Sequence, residues 1–232
     1  MSIKEIINKG TGAGGCNTTI NGGAFENKTS IEDKLLENKF EKIIMNKKNK
    51  YGYYFEKKDK DNTLIYLTQG GFKLYCKKKF NVDIYRKPDE AFILIIKGTY
   101  YIKILEKKNQ NVEGSVEDKL KTGAFNRREY EKMFNIVPTE IIDKSFKTCH
   151  INISYAFCVS KFLQNKFESK DYKYLVMKEI MMEDNIHLFY GDDDNYFDKL
   201  FEWIYEYCYN KSQLIPKVSY INPININPKE LV

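Results

Sequence analysis

Two short segments hold the residue types that bond-breaking chemistry needs. Pro88-Asp89 stands just before the apolar run Ala91–Ile96, and Glu106-Lys107-Lys108 closes the run Tyr100–Leu105. Only Lys97-Gly98-Thr99 lies between the runs, which predicts a β-hairpin. With a two-residue Lys97-Gly98 turn, Asp89 falls directly opposite Glu106, with Cβ atoms about 5 Å apart. A four-residue loop would shift the pairing by two and still leave them neighbours. Glu106 and Lys108 point to one face of the strand and Lys107 to the other. Two carboxylates so close repel each other. Lys108 offsets part of that repulsion. A divalent cation would offset the rest, and oxygen ligands suit Mg²⁺. Such a group is equipped for phosphodiester hydrolysis. The metal stabilises charge on the phosphate and acidifies a bound water, while the lysine orients that water or helps deprotonate it. The same residues also have a purely structural reading, Asp89 as a turn residue and Glu106 and Lys108 as edge-strand charges.

The surrounding pattern predicts a mixed α/β domain. Tyr51–Phe55, Thr63–Leu67 and Phe72–Cys76 read as strands, with Gln69-Gly70-Gly71 as a turn between the last two. Both hairpin runs are apolar or aromatic at most positions, so the sheet is expected to be covered on both faces. Phe25, Leu35, Leu36, Phe40, Ile43 and Ile44 fall at broadly helical spacing. Ser115 and Asp118 have capping-box spacing and open a long helix. Pro138 opens another helix that runs through Phe146. His150–Val159 alternates like a strand, Ser160–Phe167 and Tyr172–Met182 read as helices, Ile186–Tyr190 as a strand and Tyr196–Tyr209 as the last helix. Asp192, Asp193 and Asp194 suit the N-terminus of that last helix, and their spacing does not fit a calcium loop.

The chain has 232 residues, 42% of them hydrophobic and 15% aromatic, enough to bury a core. It reads as one domain over residues 1–232, with a glycine-rich segment at 1–23 and a loop-like tail at 212–232. Lys and Arg number 38 against 32 Asp and Glu, a net charge of +6. The only arginines are Arg86, Arg127 and Arg128. The abundant Lys, Asn, Ile, Tyr and Phe all have AT-rich codons, so this charge permits nucleic-acid binding without arguing for it. Cys16, Cys76, Cys149, Cys158 and Cys208 form no C-x-x-C pair, which argues against a zinc ribbon and a disulfide framework. Cys149 and His150 are adjacent without ligand spacing, and His187 is isolated. No stretch approaches the ~20 apolar residues of a membrane span, and Met1–Lys9 lacks a signal-peptide apolar region. A soluble, cytoplasmic protein is expected.

More of the chain matches one pattern. Pro88-Asp89 and Glu106-Lys107-Lys108, with the block from Asn109 to Leu120, Gly12–Thr18, Phe25–Thr29 and Gly191–Phe197, resemble the PD-(D/E)XK nuclease superfamily. Within it, the likeness is to small type II restriction endonucleases of bacteria and large DNA viruses. The resemblance implies a restriction-endonuclease-like core, in which a mixed central sheet with a catalytic β-hairpin is flanked by helices. It implies a Mg²⁺-dependent enzyme that cuts double-stranded DNA at a short sequence. Asp89 and Glu106 would hold the metal and Lys108 would serve the water. Glu26 would match a carboxylate on the first helix, where a solvated glutamate is the structural alternative. Gln110, on the Lys108 side of the strand, would bind phosphate, position the lysine or merely end the strand. The glycine run lets backbone N–H groups approach phosphate, with Asn17 and Thr18 as DNA contacts. Ser115 and the arginines Arg127 and Arg128, suited to reading guanine, complete the expected DNA contacts. Gly10-x-Gly12-x-x-Gly15 also fits a dinucleotide fingerprint, but no first strand precedes it. Two-strand cuts at palindromes imply a homodimer, and a cognate DNA methyltransferase is a possible partner. Two other readings stay open: a repair or recombination nuclease of the same fold, and a DNA-binding protein without catalysis.

Overall fold

The computed structural model describes residues 18–50, 52–60, 62–110, 116–135 and 151–209, without the side chains of 18–21, 135 and 207–209. The elements follow as α1 (Thr18–Lys28), α2 (Glu32–Glu37), β1 (Glu41–Ile44), β2 (Tyr53–Lys58), β3 (Asn62–Thr68), α3 (Gln69–Phe80), β4 (Glu90–Ile96) and β5 (Thr99–Lys108). Then come α4 (Val116–Leu120), α5 (Gly123–Asn135), β6 (Ile151–Val159), α6 (Lys161–Phe167), α7 (Tyr172–Glu183), β7 (Ile186–Tyr190) and α8 (Tyr196–Tyr209).

Among the described residues, one sheet of seven strands runs in sequence order from β1 to β7. β1 to β5 form an antiparallel meander, and β6 and β7 add in parallel to β5. Both faces are covered, as the unbroken apolar runs of β4 and β5 require. Ala91, Ile93, Ile102 and Ile104 pack with Phe72 of α3, Tyr130 of α5 and Met177 of α7. Phe92, Leu94 and Leu105 pack with Phe25 of α1, Leu35 of α2 and Trp203 of α8. This is the mixed α/β architecture read from the pattern. Among the described residues no helix is long and apolar enough to cross a membrane.

The hairpin has the two-residue turn and the register its sequence implies. Lys97 and Gly98 have φ of 48° and 82°, the left-handed pair that matches the twist of the flanking strands. The ladder ends on Glu90 opposite Leu105, so the next position sets Asp89 toward Glu106.

Three expectations are corrected. Phe72–Cys76 lies inside helix α3, not in a strand, and Gln69-Gly70-Gly71 is its first turn. The apolar set Phe72, Tyr75, Cys76 and Phe80 has helical spacing, and Lys77, Lys78 and Lys79 suit the negative end of the helix dipole. Ile43 and Ile44 belong to β1, because Lys39 turns the chain with a φ of 62° after α2. The helix after Ser115 is two helices, broken at Lys121 and Thr122. The helix expected from Pro138 to Phe146, the start of the strand at His150, the glycine run and the tail from Ser212 lie outside the described residues.

Candidate active site

Asp89 sits one residue before β4, and its Oδ2 accepts a 2.6 Å hydrogen bond from the backbone N–H of Lys107. The aspartate side chain thereby continues the hairpin where the backbone ladder stops. From the same strand Lys108 extends its ammonium between the two acids, with Nζ 2.8 Å from Glu106 Oε2 and 3.8 Å from Asp89 Oδ2. The side chains of Asp89, Glu106 and Lys108 retain 21%, 12% and 20% of their exposure, so the cluster is sheltered yet reachable. Burial raises the pKa of Glu106; the Lys108 ammonium opposes that rise and the Asp89 carboxylate adds to it. Beside Glu106 stand the phenols of Tyr130 and Tyr155, both pushed far up by burial and held neutral. Tyr130 donates to the Arg86 carbonyl, and the amide of Asn126 donates to the Tyr155 oxygen.

The opposite face of the hairpin end holds a second charged group that sequence reasoning missed. Lys107 is 3% exposed and Glu90 5%, and Lys107 Nζ lies 2.8 Å from Glu90 Oε1. Tyr66 donates to the same oxygen at 3.1 Å. The other two donors of Lys107 go to the carbonyls of Thr29 and Glu26, at 3.1 and 3.3 Å. The register held the signal: with Glu90 opposite Leu105, Lys107 is the diagonal neighbour of Glu90 on the same face.

Glu26 projects from the last turns of α1, exposed at the rim of a cleft of about 660 Å³ that Asp89, Glu90, Lys87 and Lys107 also line. Partial desolvation there raises its pKa, the Asp89 carboxylate adds to the rise, and Lys107 and Lys108 oppose it. Glu26 therefore belongs to the electrostatic surroundings of the cluster.

The residues expected to contact DNA lie on several elements, and some fall outside the described residues. Gln110 is 7% exposed, and its backbone exchanges hydrogen bonds with the Ser160 hydroxyl at 3.1 and 2.8 Å, which ties the exit of β5 to the exit of β6. Arg127 donates to the carbonyl of Asp184 and pairs with Glu131 at 3.3 Å, so it braces α5 against the chain entering β7. Asp184 precedes β7 at the N-terminal end of that strand, whereas Lys108 closes the C-terminal end of β5, which runs in the same direction. Arg128 is exposed on α5. Thr18 begins α1 with its side chain outside the described residues, and Asn17 and Ser115 lie wholly outside them. Asp192, in the run that precedes α8, also caps α6: its Oδ2 accepts from the Lys161 N–H at 2.6 Å, and Oδ1 pairs with Lys28 at the end of α1.

The donor set fits a hard cation. Among the described residues no three acidic, histidine or cysteine side chains converge into a metal cage. Mg²⁺ does not need one, since it keeps several waters and takes one or two carboxylates plus substrate phosphate oxygens. Asp89 and Glu106 would be those carboxylates.

Comparison of the chain with known protein families, with curated proteins and with solved structures finds no match in any of the three.

Proposed function

We propose that the protein is a Mg²⁺-dependent endonuclease of the PD-(D/E)XK type, cutting double-stranded DNA at a short sequence in the manner of a type II restriction enzyme. The observation that carries this reading is the convergence of Asp89, Glu106 and Lys108 at one end of the central hairpin. A purely structural hairpin end has no need to hold two acids and a lysine in a sheltered cluster that solvent still reaches. Burying part of this charge costs stability, as the raised pKa of Glu106 records.

Bound Mg²⁺, held by Asp89 and Glu106, would supply charge stabilisation at the scissile phosphate and a more acidic water. The protein's own groups do the rest. The Lys107 N–H fixes one oxygen of Asp89 and so aims the carboxylate. Lys108 offsets part of the charge of the two acids while the site is waiting. With substrate present its ammonium is placed to donate to the attacking water or to a phosphate oxygen. Glu26, on the other wall of the cleft, adds a carboxylate within electrostatic reach of Asp89. Two-strand cutting at a palindromic site calls for a homodimer, and a methyltransferase acting on the same site would be the natural partner.

The test is incubation of purified protein with unmethylated plasmid DNA in Mg²⁺, beside an EDTA control. Discrete bands that EDTA abolishes are the expected result. An EDTA-sensitive smear would replace sequence-specific cutting by a repair or recombination task. Intact DNA with retarded migration would replace the enzyme by a DNA-binding protein.

A further inference from the structure

We propose that Lys107, the middle residue of the Glu106-Lys107-Lys108 segment, is a positioning residue that clamps helix α1 onto the hairpin and so holds Glu26 beside Asp89. Its effect on catalysis rests on the nuclease reading above; its effect on α1 does not.

The argument starts from the end of a helix. Helix α1 stops at Lys28, which leaves carbonyls of its last turn without the usual partners four residues on. Thr29 covers part of this need: its N–H and its buried hydroxyl both donate to the Phe25 carbonyl, at 3.0 and 2.7 Å, and the hydroxyl lies 3.4 Å from the Glu26 carbonyl. The Lys107 ammonium donates to the Glu26 and Thr29 carbonyls at 3.3 and 3.1 Å, from a strand 78 residues away or more, and the Tyr196 hydroxyl lies farther from the Thr29 carbonyl, at 3.5 Å. A cation at this end also complements the helix dipole. Lys107 thus caps α1 from another element.

Such a cap must be held in place. An ammonium has three protons, and here all three are used: Glu90 Oε1, Thr29 O and Glu26 O. Glu90 lies on β4, next to Asp89, and Tyr66 of β3 fixes the same carboxylate oxygen. The network therefore ties three strands to one helix through a buried ion pair. Removing one partner of such a pair strands the other charge, so the geometry is strongly enforced.

The consequence concerns Glu26. One backbone peptide of this residue is gripped by Lys107 while its carboxyl lines the cleft with Asp89. Asp89 itself is hydrogen-bonded to the N–H of the same lysine. Both carboxylates are thus referred to one residue, Asp89 through its backbone and Glu26 through its side chain. The alternating directions of β5 make this possible: Glu106 and Lys108 face the cluster while Lys107 reaches back to the helix.

The experiment combines hydrogen exchange with a kinetic cycle on the full chain. Lys107→Met is expected to accelerate amide exchange in α1 while β4 and β5 stay protected. It is expected to lower kcat for DNA cleavage by about 10–100-fold, the usual effect of removing a group that orients a catalytic carboxylate, with KM unchanged. Glu26→Ala should lower kcat in the wild-type background and add little on top of Lys107→Met. Should Lys107→Met fail to fold, Glu90→Gln carries the same readouts, because it keeps side-chain volume and removes the carboxylate that anchors the lysine. Unchanged exchange in α1 would overturn the clamp. A Glu26→Ala loss of equal factor in both backgrounds, or no loss at all in the wild type, would overturn the positioning role. If the wild-type protein does not cut DNA, the nuclease reading falls, and the exchange experiment still decides the clamp.

Discussion

The backbone N–H of Lys107 donates to Asp89 Oδ2 at 2.6 Å, so a residue outside strand β4 is locked onto strand β5. That bond brings Asp89 to the side of the sheet where Glu106 and Lys108 stand. An asparagine keeps an acceptor for this N–H but loses the negative charge. Asp89→Asn should therefore melt close to the wild type while losing Mg²⁺-dependent cleavage. Thermal unfolding and a plasmid assay on the same preparation check both halves.

Glu106 gives a prediction about pH. Folding raises its pKa, mainly through burial, above the ordinary glutamate value of 4.5. The folded chain therefore holds the proton more tightly than the unfolded chain. The associated stability is fully present below pH 4.5 and is lost as the pH rises through the folded value. Glu106→Gln never ionises and escapes that loss. Its melting temperature should exceed that of the wild type at neutral pH, with the difference closing as the pH falls toward 4.5. A gap that stays constant with pH would contradict the burial argument. The same variant should be inactive, a case of function maintained at the expense of stability.

Much of this was legible in the sequence, and the reasons differ by element. The hairpin was readable because two β-rich runs flank Lys97-Gly98-Thr99; a two-residue and a four-residue loop both fitted, and the positive φ of Lys97 and Gly98 belongs to the two-residue turn and its register. Once that register is known, the meeting of Asp89, Glu106 and Lys108 follows. Helix α3 was misread because Gly70 and Gly71 resemble a turn, and because five residues from Phe72 are too few to separate strand from helix; the helical set becomes visible only when Phe80 is included. The Glu90–Lys107 pair was missed although the register contained it, since a charged pair on an apolar face is invisible until the face is known to be buried. The grip of Lys107 on α1 was not legible at all, because it joins residues far apart in the chain.

The hairpin turn supplies a stability test. Gly98 has a φ of 82°, where a side chain costs about 1–2 kcal/mol. Gly98→Val should lower stability by about that amount in chemical denaturation, and more if the register slips. Lys97 also has positive φ, so Lys97→Asn should raise stability slightly, as asparagine tolerates that conformation better.

Gly191 tests the seat of α1 from the other side. A methyl group there would come within 2.6 Å of Thr29 Cγ2, 2.8 Å of Phe25 Cζ and 2.9 Å of Cys158 Sγ. These neighbours are buried, so they have little room to give. Gly191→Ala should cost about 1–3 kcal/mol of overpacking, read from denaturant midpoints. It should also speed amide exchange in α1 more than in β4.

The most direct test of the central claim removes the ammonium that lies 2.8 Å from Glu106 and 3.8 Å from Asp89. Wild type and Lys108→Ala would be compared in Mg²⁺ on supercoiled plasmid, by single-turnover cleavage rate, with circular dichroism to show that both are folded. The account predicts metal-dependent cleavage by the wild type and a rate at least about 10²-fold lower for the folded variant. Equal cleavage by both, or a folded wild-type protein that leaves the DNA intact, would contradict it.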